Sequence, residues 1–328
     1  VSNLQVLRCP DEERGRALEV LYQGLEAPVR EALVAQALED DLAGRVDLSG
    51  LWIARRGGWA GSRRPVGVLL TQKLPGRAAA VWAPHAATAW GRAEVAAGLV
   101  RGALEGLRES GVAIAQAVLD EGADPREGQD LARGGMPRVT TLTYLRRDAT
   151  ALLPSPSSPR LEWRGMDEAG EGAFVDALAA TYAGSLDMPE LEGSRSLDEV
   201  LAGHRGAEGH EPSRWRLGRS PDDPDARAVL LLAAAADRDA WEVVYLGLTP
   251  GARGRGFGVQ AVAHALELAR PHASAIELAV DERNEPAARL YRRTGFVPLG
   301  RRAVHLAILA RAGGGGGGLN GGSGPRLP

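Results

Sequence analysis

The sequence predicts an α/β protein of two similar halves in tandem, each a mixed sheet flanked by helices. Three observations carry the prediction. Strand patterns and helix patterns follow one another in the same order on either side of the middle of the chain. At that middle lies Pro154-Ser155-Pro156-Ser157-Ser158-Pro159, where proline removes backbone donors and serine adds no apolar surface, the signature of an extended linker. In the second half, the apolar run Val243 to Leu248 meets a glycine-rich turn, after which the apolar period changes from that of a strand to that of a helix. The expected units are residues 1–150, a linker at 151–159, residues 160–311 and a disordered glycine-rich tail at 312–328.

Taken in order, Leu4 to Leu7 reads as a strand, followed by helical patterns around Arg16 to Gln23 and Val29 to Leu38. Leu51 to Ala54, Val66 to Thr71 and Ala78 to Trp82 read as strands, the last ended by Pro84. Glu94 to Arg108 is a helix with Val95, Leu99 and Leu107 on one side and Gly111 beyond its end. Val112 to Leu119 is a buried strand, Pro125 to Arg133 a short helix and Val139 to Leu145 a closing strand. The tryptophans of this half, Trp52, Trp59, Trp82 and Trp90, are expected in the core or an interface.

The second half repeats the series. Leu161 to Trp163 is a strand, Gly172 to Tyr182 and Leu197 to His204 are helices, and Trp215 to Leu217 and Ala228 to Ala235 are strands. The apolar run and its helix come next, with Val259, Val262, Ala263 and Leu266 on one face. Ile276, Leu278 and Val280 alternate as a strand. Asn284 offers an N-cap, Pro286 suits a first turn, and a short helix stops at Gly295 before a last strand, Val304 to Leu309. Pro84 matches Pro250 and Gly135 matches Gly295, a repeat period of about 160 residues.

A length of 328 residues suits two domains, and 44% hydrophobic with 25% charged residues is the balance of a globular protein. A net charge of −3 gives no electrostatic case for nucleic acid. Cys9 is the only cysteine, which excludes an intramolecular disulfide and a thiolate metal cluster, and no metal site is expected elsewhere. No apolar run reaches the ~18 residues of a membrane span and no leader pattern is visible, so a cytoplasmic protein without a membrane partner, monomeric or homodimeric, is expected.

The turn, Arg253-Gly254-Arg255-Gly256-Phe257-Gly258, stands at a helix N-terminus. The first N–H groups of a helix lack internal partners and its dipole favours negative charge there, so a phosphate or pyrophosphate is the expected occupant. Gly254, Gly256 and Gly258 let oxygens approach the amides of Arg255 to Val259, and Arg253 and Arg255 can add charge-assisted bonds. No Gly-Lys-Ser/Thr follows, so a nucleoside-triphosphate P-loop is excluded, and the dinucleotide G-x-G-x-x-G frame is poorly met.

The pair Arg253-x-x-Gly256-x-Gly258 and Asn284-x-x-Ala287-x-x-Leu290-Tyr291-x-x-x-Gly295-Phe296 resembles the GCN5-related N-acetyltransferase (GNAT) superfamily. The first half has no counterpart of either motif. The tandem arrangement therefore resembles that of the mycothiol synthase family, in which the second copy is the catalytic one.

The resemblance implies two tandem acyl-CoA N-acyltransferase-like folds and transfer of an acetyl group from acetyl-CoA to a primary amine, on a small molecule or a peptide, by direct attack. A non-catalytic acyl-CoA-binding or sensing module is the alternative. Carried over by position, the amides of Arg253 to Val259 hold the pyrophosphate, and the edge from Leu246 to Leu248 pairs with pantetheine, with Gly247 suited to a bulge. The amide of Leu248 then faces the thioester oxygen. Tyr291 aligns with the family's general acid, or is a half-buried core tyrosine. Asn284 contacts pantetheine or only caps its helix. Glu242, expected on the same face as Val244, Leu246 and Leu248, is a general base or a solvated carboxylate. Asp187, Glu190 and Glu192 receive a cationic amine or form a solvated acidic loop.

Overall fold

The computed structural model describes residues 4–57, 64–151, 153, 160–206 and 209–310, with Ala226 by its backbone only. Most of the expected linker, the tail and Trp59 lie outside the described residues.

The first half runs β1 (Leu4–Arg8), α1 (Arg14–Leu21), α2 (Ala27–Leu42), β2 (Leu51–Arg56), β3 (Gly67–Leu74), β4 (Ala78–Val81), β5 (His85–Ala86), α3 (Arg92–Glu109), β6 (Ile114–Asp120), α4 (Pro125–Gly134) and β7 (Arg138–Asp148). The second runs β8 (Glu162–Gly165), α5 (Met166–Ala169), α6 (Glu171–Tyr182), α7 (Leu197–Arg205), β9 (His210–Ser220), β10 (Asp223–Ala234), β11 (Ala240–Leu248), α8 (Phe257–Ala269), β12 (Ala275–Asp281), α9 (Glu285–Arg293) and β13 (Val297–Ile308).

The mixed α/β layering follows the sequence reading, and both halves join in one sheet ordered β1-β2-β3-β4-β6-β13-β7-β12-β11-β10-β9-β8, with β5 beside β3. Near its centre the halves exchange strands. β13 of the second half lies between β6 and β7 of the first, and β7 lies between β13 and β12. Each exchanged strand is paired on both sides, which removes two edges from the sheet.

The sequence reading places the last strand only from Val304; Val297 and Leu299, ahead of it, stand exposed. Pairing with β7 from Val297 onward forms the earlier part of β13.

Helix α8 buries Phe257, Ala261, Val262, Ala265, Leu266 and Ala269 against the sheet. Trp241, Ile276, Leu278, Val280 and Tyr291 belong to the same core or pack onto it. Each large apolar side chain so buried contributes about 1.5–3 kcal/mol, which fixes α8 and α9 beside β11 and β12. In the first half Trp52 is buried, but Trp82 and Trp90 are exposed. Trp90 stacks with the Arg56 guanidinium 4.8 Å from its ring centre, so of the two expected places, core or interface, the core is excluded for these two.

Candidate active site

Strands β11 and β12 run parallel and pair only at Ala240–Ala275, Trp241–Ile276 and Glu242–Glu277. Beyond Glu242 they separate, which leaves one edge of β11 without a strand partner. On its other edge β11 pairs with β10, and the register slips between Leu231 and Leu232, where Val244 is the extra residue. The expected bulge at Gly247 therefore lies three residues earlier. Gly247 is needed for a different reason: a Cβ there would come within 2.6 Å of the Tyr245 ring and 2.7 Å of Thr181 Cβ.

The amide of Thr249 donates to the carbonyl of Arg227 directly opposite at 3.0 Å. Antiparallel strands alternate between bonded and non-bonded pairs. Leu248 and Leu246, opposite Ala228 and Leu230, consequently turn their N–H and C=O groups away from β10 toward the gap. The Leu248 carbonyl accepts from Arg253 Nε at 3.2 Å, which leaves its amide facing the opening.

The bulge also decides which face Glu242 presents. Trp241 and Val243 pack toward α8, Val244 and Tyr245 toward α6, and Leu246 toward α8 again. Leu248 packs with Phe257 on the α8 side. Glu242 thus shares its face with Val244 but not with Leu246 and Leu248, contrary to simple alternation. It sits where the strands are still paired, its side chain 42% exposed and ion-paired with Arg238, which also binds Glu277 at 2.7 Å.

After β11 a short 3-10 turn, Pro250–Ala252, leads into the glycine-rich segment. Gly254 and Gly256 have φ of 74° and 83°, and Gly256 is the N-cap of α8. A Cβ at either would meet nothing within 4 Å. The amides of Arg253 and Val259 bond the carbonyls of Pro250 and Gly256, so the expected cradle is narrower than Arg253 to Val259. Those of Gly254, Arg255, Gly256, Phe257 and Gly258 have no partner among the described residues. Gly258 serves packing instead: its Cβ would lie 2.8 Å from Leu290 on α9.

The two arginines of the turn are already engaged. Besides Leu248, Arg253 donates to the carbonyls of Thr181 at 3.0 Å, Ala183 at 2.8 Å and Gly184 at 3.0 Å. It therefore caps the end of α6 rather than facing a ligand. Arg255 pairs with Asp223, donates to the Gly251 carbonyl and lies over the Phe257 ring at 5.1 Å.

On α9, Tyr291 is 7% exposed with its ring edge-on to Phe296 at 5.4 Å, and its hydroxyl has no hydrogen-bond partner among the described residues. Burial first, and the Asp187 carboxylate second, raise its pKa above the ordinary phenol value. Asn284 caps the helix through Oδ1, which accepts from the Ala287 amide at 3.2 Å.

The loop after α6 crosses the end of β12. Asp187 accepts from the Asp281 amide at 3.3 Å. Although Asp187 as a residue is exposed, crowding of its carboxyl away from water raises its pKa. Glu190, in contrast, forms a two-pronged pair with Arg283 at 2.6 and 3.0 Å, which holds its carboxyl below the usual range. Both of its carboxylate oxygens are engaged by that guanidinium. Arg283 also clamps the buried Asp281, which accepts from Thr140 at 2.6 Å and from the Met188 amide at 3.1 Å. Glu192, at the end of this loop, is exposed.

The sequence reading missed a cluster on the α6 face of β11. Tyr182 is hydrogen-bonded to His204 Nε2 at 2.9 Å, and Tyr245 to Thr181 Oγ1 at 2.9 Å. The two tyrosine rings lie 5.1 Å apart. Burial, with Arg195 and His210 adding, pushes His204 down to about 4, and burial pushes Tyr245 up to about 12. Spacing gave no signal, because the four residues come from three elements.

Residues 215–296 match the acetyltransferase (GNAT) family. The chain is 33% identical over 183 residues to mycothiol acetyltransferase of Beutenbergia cavernae, a match covering 52% of this chain and 59% of the relative, less than two thirds of its length. A GCN5-related N-acetyltransferase from Sphaerobacter thermophilus superposes with a TM-score of 0.56 at 15% identity, over 94% of this chain and 96% of that one. A glucosamine N-acetyltransferase region of a fungal multi-domain β-N-acetylglucosaminidase gives the same TM-score at 15% identity, over 93% of this chain and 38% of that one. These likenesses show the fold. Among the described residues no helix is long and apolar enough to cross a membrane.

Proposed function

We propose, for a chain whose residues 215–296 belong to the acetyltransferase (GNAT) family, that it is an N-acetyltransferase taking acetyl groups from acetyl-CoA. The observation that carries this reading is the run of unpartnered amides from Gly254 to Gly258 at the head of α8, beside the unpaired edge of β11. The amides and the helix dipole suit a diphosphate. The Leu246 and Leu248 edge suits the amide groups of pantetheine, which extends the same hydrogen-bonding pattern that a strand would. Residues 160–311 would form the working unit and residues 1–150 a supporting one.

The amine nitrogen attacks the thioester carbonyl carbon, the C–S bond breaks, the amine loses a proton and the sulfur gains one. The Leu248 amide stabilises the charge that develops on the carbonyl oxygen. Tyr291, kept protonated by burial, supplies the proton to sulfur. Glu242, on the α6 face with Val244, takes the amine proton, and Asp187 receives the cationic amine before it is deprotonated. The likeness to the mycothiol acetyltransferase of Beutenbergia makes a mycothiol-related amine the first acceptor to test.

Thiol release from acetyl-CoA, measured over a panel of amines, tests the reading. Tyr291→Phe should lower kcat by about 10²–10⁴-fold with CoA affinity unchanged. Glu242→Gln should lower kcat and remove the acidic limb of its pH profile. No thiol release with any amine, beside intact CoA binding, would instead favour an acyl-CoA-binding module.

A further inference from the structure

Away from the gap between β11 and β12, three charged side chains stand in one row across the β8, β9 and β10 strands. Glu162 is opposite Arg219, and Arg219 is opposite Arg227. Residues in direct register share a face with Cβ atoms about 5 Å apart, and like charges so placed repel. Neither arginine has an ion-pair or side-chain hydrogen-bond partner among the described residues. The Nε of Arg227 is buried without a partner, and so is the hydroxyl of Ser220. A buried donor left unpaired costs about 1–3 kcal/mol. These residues, with Pro221 and Pro224, line a cleft of about 420 Å³, ample for a small oxyanion.

The cleft adjoins the glycine turn. Asp223 in the β9–β10 hairpin pairs with Arg255, and the Arg227 amide donates to Thr249 Oγ1 at 3.0 Å, one residue past β11.

We propose that this cleft binds a phosphate group between Arg219 and Arg227. A dianion there turns two repelling cations into two attractive pairs and matches the planar donor fork of guanidinium. Glu162, opposite Arg219 on its far side, disfavours an anion on the β8 side and so directs it toward Arg227. The phosphate belongs either to coenzyme A, whose ribose carries a 3′-phosphate, or to a different molecule. The site itself stands on the arginine row and does not depend on the transferase reading.

Inorganic phosphate is titrated into the full chain without CoA, at constant ionic strength set with chloride, and followed by calorimetry. Saturable 1:1 binding is expected, weakened by about tenfold or more in Arg219→Gln and in Arg227→Gln, and strengthened in Glu162→Gln. Arg219 is exposed, so its variant keeps the test valid should the Arg227 variant not fold. Absence of saturable binding, or an unchanged affinity in Arg219→Gln, overturns the proposal. Comparison of CoA with dephospho-CoA then separates the sources. A preference for CoA that Arg219→Gln abolishes assigns the phosphate to the coenzyme. Equal binding of the two, with inorganic phosphate still bound beside CoA, assigns it to a second ligand.

Discussion

Replacing Gly256 with alanine separates the two uses of that residue, backbone shape and ligand access. Its φ of 83° lies in the left-handed region, where an L side chain costs about 1–2 kcal/mol. A Cβ there meets nothing within 4 Å, so no packing loss adds to that figure. Urea unfolding should therefore report a folded protein about 1–2 kcal/mol less stable than the original. The same Cβ would occupy open space at the head of α8, where the unpartnered amides lie. Loss of even two hydrogen bonds to a charged group, at about 1.5–3 kcal/mol each, corresponds to a rise of about 10²-fold or more in the Kd for CoA. Calorimetric titration of CoA measures it. Gly258→Ala is the contrast: its Cβ must displace the Leu290 side chain, so it should lose about 1–3 kcal/mol of stability while CoA affinity changes by less than about threefold. If Gly256→Ala folds and binds CoA as tightly as the original chain, the head of α8 is not the diphosphate site.

Arg253→Lys should weaken the fold by about 2–3 kcal/mol, because one ammonium cannot serve the carbonyls of Leu248, Thr181, Ala183 and Gly184. CoA affinity should hardly change, a result that a phosphate-binding arginine would not give. His204 is pushed down to about 4 from 6.5 in the folded chain. Between those values the unfolded chain binds the extra proton, so stability contributed by the neutral imidazole is present above about pH 6.5 and is lost as pH falls toward 4. The loss amounts to about 3 kcal/mol, and His204→Gln should flatten that part of a stability-against-pH curve measured by urea unfolding.

Much of the fold is local enough to be read from the chain. Alternation from Ile276 to Val280, the helical spacing from Val259 to Leu266 and the cap at Asn284 all act within one element. The roles of charged residues were not legible in the same way. Arg253 and Glu190 looked like ligand-facing groups because their partners, three carbonyls at the end of α6 and the Arg283 guanidinium, are contributed by residues 69 to 93 positions away.

By itself the sequence determined the order of the elements, the turn at the head of α8 and the absence of a similar turn in the first half, since glycine content and apolar period depend on neighbours along the chain. Only the tertiary structure decided which strands meet. The exchange of β7 and β13 rests on pairings between halves, and the face of Glu242 rests on a bulge set by the register with β10. Register is a property of two strands together, and one extra residue in it turns every side chain beyond to the other face.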